Sequence, residues 1–184
     1  GTFTQQSKLH ASDSAADDNF GFSVSLYGDT ALIGAYGDDD NDKSSSGSVY
    51  IFKAPSPPPP SPPPSLPPLF LTSLVEYATQ PKFYASDTSA WGFGYALSLY
   101  GDTTLIYGGG SVYLFTRSSV DGTFTQQSKL HASDSTASNA FGVSVSLYGD
   151  TALIGAKNDD DNSKTDSGSV YVFTRLSIDG AFTQ

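Results

Sequence analysis

The chain has 184 residues, a length that fits one or two ordinary domains. It carries 9 Lys+Arg against 19 Asp+Glu, a formal charge of −10, which argues against nucleic acid as a partner because that needs a basic surface. Cys is absent, so no disulfide framework, thiolate–zinc site or thiol nucleophile is expected. No apolar run approaches the roughly 18 residues that span a bilayer, so no membrane insertion is expected. Of the 19 acids, 18 are Asp, a turn, cap and metal-loop residue, and one is the helix former Glu, at Glu76. Only 15% of residues are charged, and Ser, Thr, Gly and Asp abound, a composition that suits a β-rich extracellular protein. The missing initiator Met and signal-peptide pattern suggest a piece of a longer or processed chain.

In chain order, residues 1–13 read GTFTQQSKLHASD, and residues 122–134 repeat all thirteen. Phe20, Phe22, Val24 and Leu26 then alternate with small or polar residues, the period of two that predicts a strand. Tyr27-Gly28-Asp29-Thr30 predicts a tight hairpin, with Ala31–Ala35 returning and Gly47–Phe52 as the third strand. The same series returns at Phe93–Asp102 and at Phe141–Asp150, with third strands at Gly110–Phe115 and Gly168–Phe173. Thr123–His131 predicts a fourth strand, and Asp179–Gln184 starts another copy of it. Four short strands in each repeat of roughly 50–60 residues is the pattern of a propeller blade. The expected fold is all-β: about three four-stranded antiparallel propeller-type blades, interrupted by a polyproline II rod. The expected boundaries are 1–54 for the first blade, 55–69 for a proline-rich linker and 70–121 for a short second blade. Residues 122–184 form the third blade and begin the next repeat.

The repeat resembles the FG-GAP family, the blades of integrin-α-type β-propellers. The resemblance rests on Phe20-Gly21 with Gly34-Ala35, and on Phe141-Gly142 with Gly155-Ala156. Tyr36 and Lys157 replace the family's proline, and the middle copy has Phe93-Gly94 but Tyr107-Gly108 in place of Gly-Ala. A closed propeller needs about four blades or more. An incomplete array with an open edge strand predicts self-association, head to tail or as a helical filament.

Residues 37–46 and 158–167 form acidic loops between the second and third strands, and the middle copy keeps only Gly108–Gly110. Calcium takes six to eight oxygen ligands. Asp38, Asp40 and Asp42, and in the third copy Asp159, Asp161 and Asp166, are the candidate calcium ligands. The resemblance implies calcium at this place in a DxDxDG-like loop, but that motif's glycine and later acid are out of register here. The competing reading is a solvated hairpin loop held by Asx turns.

Ten of the 11 prolines fall in residues 55–68, PSPPPPSPPPSLPP. Contiguous proline predicts polyproline II at about 3.1 Å per residue, roughly 43 Å for the tract. Phe115 and Phe124 are nine positions apart, but the matching Phe52 and Tyr77 are 25 apart. A stiff rod returns poorly to its origin, so the tract is expected to carry the chain away from the first blade. Ser56 and Ser61, each followed by a proline run, resemble the extensin-type motif of plant and algal hydroxyproline-rich glycoproteins. That resemblance implies hydroxyproline O-glycans at Pro57, Pro58, Pro59, Pro60, Pro62, Pro63, Pro64, Pro67 and Pro68, and a green-algal or related source. The competing reading is an unmodified spacer or a ligand for SH3/WW-type domains.

Catalytic signals are weak. His10 and His131 occupy one repeat position, which favours a structural role, and no Gly-x-Ser-x-Gly elbow or Gly-x-Gly-x-x-Gly loop occurs. Trp91 is expected to pack on its blade, as are Tyr27, Tyr100 and Tyr148. The chain therefore reads as a non-enzymatic, secreted, structural cell-surface protein. It would be the protomer of a glycosylated fibre or wall built by strand pairing, with other wall glycoproteins or glycans as further partners. The alternative is a calcium-dependent adhesion module that binds a protein or glycan ligand.

Overall fold

The computed structural model describes residues 8–13, 15–39, 44–53, 78–79, 82–87, 91–132, 140–160, 165–175 and 182–184. Every element among them is a β-strand. The first sheet holds β1 (Phe20–Tyr27), β2 (Thr30–Ala35), β3 (Ser48–Lys53) and β4 (Ala78–Thr79). The second holds β5 (Leu97–Tyr100), β6 (Thr103–Gly108), β7 (Ser111–Arg117) and β8 (Phe124–Leu130). The third holds β9 (Phe141–Tyr148), β10 (Thr151–Ala156) and β11 (Ser169–Thr174). Neighbours in sequence pair antiparallel within each sheet, so each sheet is a meander. This is the expected all-β architecture of propeller-type blades; among the described residues the third sheet shows three strands and a bridge from Thr174 to Thr183.

Local chemistry explains the hairpins. Gly28, Gly101 and Gly149 hold φ near +60° at the first loop position, which a two-residue hairpin tolerates only in glycine. The Phe-Gly pair forms a bulge: pairing of β1 with β2 skips from Phe20 to Ser23, and Gly21 sits at φ +90°. The matching Gly34 is bare because a Cβ there would strike Ser23 Oγ and the Gly94 carbonyl of the next sheet.

The sheets stack face to face through their inner strands, β1 against β5 and β5 against β9. Leu32, Val49 and Ile51 of the first sheet meet Leu97 and Leu99 of the second in one core. Leu105, Val112 and Leu114 of the second meet Phe141 and Leu147 of the third in another. A third core joins Ile33, Tyr50 and Phe52 to Leu9 and Ala11 of the leading segment.

One expectation is corrected. The chain does not leave the first blade for good after residue 53: Thr79 pairs with Phe52, Ala78 with Lys53, and Phe83 bridges Val49. The edge of β3 needs backbone partners, and lengthening a loop adds little to its closure cost. Phe83 adds a ring stack with Phe124 at 5.2 Å and an edge contact with Phe115 at 5.0 Å. Thr79 faces Phe52 as Gln126 faces Phe115. Residues 54–77, and with them the proline tract, lie outside the described residues.

Candidate functional site

The acidic loops leave the ends of β2 and β10. Asp38 and Asp159 donate their amides to Ala35 and Ala156 carbonyls, and their own carbonyls accept from Gly47 and Gly168. Asp39 accepts the Ser45 amide at 2.6 Å, and Asp160 accepts that of Asp166 at 2.7 Å. These bonds close each loop on itself. The side chains of Asp38 and Asp159 turn inward and are buried. Asp38 accepts from the Tyr50 hydroxyl at 3.3 Å and from Lys82 Nζ at 2.9 Å, and Asp159 accepts from Tyr171 at 3.1 Å.

Tyr50 shares its arrangement with Tyr113 of the second sheet. Lys82 also reaches Asp13 at 2.9 Å, and Tyr50 donates to Asp13 at 2.9 Å. In the second sheet Tyr113 donates to Asp87 at 2.9 Å, and Lys129 bonds the same carboxylate at 3.0 Å. The ammonium groups lie over the rings, 5.6 Å from Tyr50 and 5.0 Å from Tyr113. Lysine and aspartate come from one recurring phrase, Lys-x-x-Ala-Ser-Asp, at 8–13, 82–87 and 129–134. Tyr50 and Tyr113 each take their lysine from the phrase after them and an aspartate from the phrase before them. The Lys82 hydrogen bond holds the Asp13 carboxyl below its ordinary range. Burial pushes the Tyr50 and Tyr113 hydroxyls upward, reinforced by their aspartates. Burial works against the charge of Lys129, yet its bonds to Tyr113 and Asp87 prevail and raise it. The phrase was visible in the sequence as a threefold repeat, but its partner tyrosines lie too far along the chain for spacing to reveal them.

The predicted calcium ligands do not converge in what is described. Asp38 fits a cation cage poorly, since Lys82 already neutralises it. Asp159 turns toward Tyr171, Asp166 lends a backbone amide to Asp160, and Asp40, Asp42 and Asp161 lie outside the described residues. Among the described residues no three His, Cys, Asp or Glu side chains group as a metal site. The proline positions proposed for glycans also lie outside the described residues.

The loop ends join the blades instead. Gly92 and Phe93 donate amides to the Ser45 and Ser46 carbonyls across the first joint, at 3.0 and 3.1 Å. Serines on the inner strands repeat a second stitch: Ser25 Oγ accepts the Leu99 amide, and Ser98 Oγ accepts the Leu147 amide, both at 3.0 Å. Arg117 pairs with Asp102 and reaches back to Thr30, and Arg175 pairs with Asp150 and reaches back to Thr103 at 3.3 Å. Tyr27, Tyr100 and Tyr148, expected to pack on their own blades, instead form a ladder across the joints, with ring centres 5.1 and 4.9 Å apart.

His10 and His131 are both exposed, the latter 3.4 Å from Ser111 Oγ. Trp91, expected to pack on its blade, is 65% exposed and rests one edge on Tyr107.

A family model described as FG-GAP repeat matches residues 3–52 and 124–173. No curated protein matches the chain. The middle copy falls outside the match, yet β5–β8 follow the same order as the first sheet. With more than half of its length matched by that model, the chain belongs to the FG-GAP repeat family.

Proposed function

We propose that this chain is a structural, extracellular assembly module, the protomer of a glycosylated fibre or cell wall. FG-GAP repeats form propeller modules that are generally non-catalytic and typically found outside the cell or on its surface, and no described helix could cross a membrane. The observation that carries the reading is the edge of β11. Among the described residues it meets a fourth strand only at the Thr174–Thr183 bridge, whereas β7 is paired from Val112 to Arg117. An edge of this kind recruits strands, and pairing head to tail between like chains propagates. Hydroxyproline glycans on residues 57–68 would stiffen and solubilise a spacer between blades.

Electron microscopy of the native material, with sugar analysis of the tract peptide, tests this. Periodic filaments and arabinose- or galactose-bearing hydroxyproline support the reading. Discrete particles with a bare tract refute it.

Calcium binding at the loops is a separate proposal and the basis of the adhesion alternative. It rests on the composition of residues 38–42 and 159–166, chiefly Asp40, Asp42 and Asp161. Melting in Ca²⁺ and in EDTA tests it: a higher midpoint with Ca²⁺ supports it, and superimposed curves refute it.

A further inference from the structure

Equivalent apolar positions in the three sheets differ in exposure according to whether a neighbouring sheet covers them. On the face toward the following sheet, Leu32, Val49 and Ile51 are buried, as are Leu105, Val112 and Leu114. Their equivalents in the third sheet, Leu153, Val170 and Val172, are 43%, 65% and 51% exposed. On the opposite face, Leu97 and Leu99 of β5 are buried, and Leu147 of β9 is buried with Val145 packed beside it. Their equivalents in β1, Val24 and Leu26, are 68% and 64% exposed. The molecule thus presents two bare apolar faces of different kinds, each a copy of one half of an internal joint.

We infer that these faces are the two halves of a joint between copies of this chain: the third blade of one seats the first blade of the next. The inference rests on the assembly reading above and names its contact surface. Three observations favour a second copy as the occupant. First, Ser23–Tyr27 is identical to Ser144–Tyr148, the inner-strand face already seated on the second blade, so β1 offers a surface the fold is known to accept. Second, the socket is preformed. Gly94 packs its bulge against Val49 and Gly34, and Gly142 packs against Val112. At the same place on the third blade lies an open cleft of about 350 Å³, lined by Gly155, Ser169 and Val170. The matching bulge glycine on β1, Gly21, has φ +90° and open space around it. Third, the stitches have both ends in place. Ser146 is exposed as the acceptor for the Leu26 amide, and Tyr148 is exposed to continue the ring ladder onto Tyr27. The Thr174–Thr183 register matches Thr116–Thr125, so the segment that meets β11 starts in the geometry of β8. One stitch is absent: the sequence has Ala54 where the other copies have Arg117 and Arg175.

The contact is heterologous, so it extends into an open chain of copies unless the rotation closes a ring. Sedimentation velocity of the full chain over a wide concentration range, alone and with Leu26→Asp and Val172→Asp, tests it. Both residues are exposed, so at a concentration where the parent is monomeric both variants keep its circular dichroism and melting midpoint. An unpaired carboxylate in a closed apolar joint weakens association by about 100-fold or more. Each variant alone is therefore monomeric where the parent forms oligomers. An equimolar mixture forms dimers and nothing larger, since each variant retains one intact face. A parent that assembles while both variants assemble equally well overturns the joint and leaves the assembly reading standing. A parent that stays monomeric at every concentration overturns both.

Discussion

Leu26, Leu99 and Leu147 occupy one position of the repeat, yet Leu26 is 64% exposed and the other two are 6% exposed. The chain therefore contains its own control for how much a blade joint stabilises it. Truncating a buried leucine to alanine removes its transfer free energy and leaves a cavity, at about 2–5 kcal/mol. Leu99→Ala opens the core shared with Leu32, Val49 and Ile51, and Leu147→Ala opens the one shared with Leu105, Val112 and Leu114. Both are expected to lose about 2–5 kcal/mol, while Leu26→Ala stays within about 0.5 kcal/mol as a surface change. In a chain of this size each kcal/mol shifts the melting midpoint by about 2–4 °C. The assay is urea unfolding at a concentration where the parent is monomeric, with the slope compared among variants to confirm a common transition. Equal losses at all three positions would refute the reasoning, because the blades would then be stabilised within sheets and not by stacking.

Other outcomes follow from the tyrosine clusters and the bulges. Lys82→Met leaves the buried Asp38 carboxylate without its ammonium and should cost about 1–3 kcal/mol. Adding Asp38→Asn should recover part of that loss in a double-mutant cycle on chemical unfolding. The contribution of Asp13, whose folded pKa is lowered, is complete above its ordinary value of 3.8 and disappears as pH falls through the lower folded value. Tyr50 runs the other way: its contribution is complete below the ordinary value of 10.0 and is lost as pH rises through the higher folded value. The melting midpoint should thus fall at both extremes, and Lys82→Met should flatten the acid limb, because the bond that lowers the Asp13 pKa is gone. Gly94→Ala should be worse than Gly28→Ala by thermal melting. Both hold positive φ, but a Cβ at residue 94 lies 2.7 Å from the Ser48 carbonyl, and one at residue 28 meets nothing within 4 Å.

Much of the fold was legible because its signals are local. A Gly-Asp pair between two alternating runs specifies a hairpin, and it occurs at a fixed repeat position; the bulge at the Phe-Gly pair was not foreseen, because it needs the register of two strands. What was not legible depends on distance. The period of two places Val24 and Leu26 on one face of β1, but nothing local says whether a sheet lies over that face. Stiffness of the proline tract suggested departure from the first blade, while the open edge of β3 and the rings around Phe83 draw residues 78–79 and 83 back. The acidic loops looked like cation sites because their composition is oxygen-rich. Asp38 instead turns toward a lysine 44 positions away, Lys82, a pairing that only the fold creates.

The proposed joint can be read covalently, because the chain has no cysteine of its own. Ser25 and Leu99 meet across the first internal joint, with Ser25 Oγ 3.0 Å from the Leu99 amide, and the equivalent pair between copies is Ser146 with Leu26. The chain carrying Ser25→Cys and Leu99→Cys should oxidise within one molecule and run as a monomer on a non-reducing gel. The chain carrying Ser146→Cys and Leu26→Cys should give a ladder of disulfide-linked oligomers that collapses on reduction. Efficient closure of the internal pair beside a second variant that remains monomeric would contradict head-to-tail stacking of the blades.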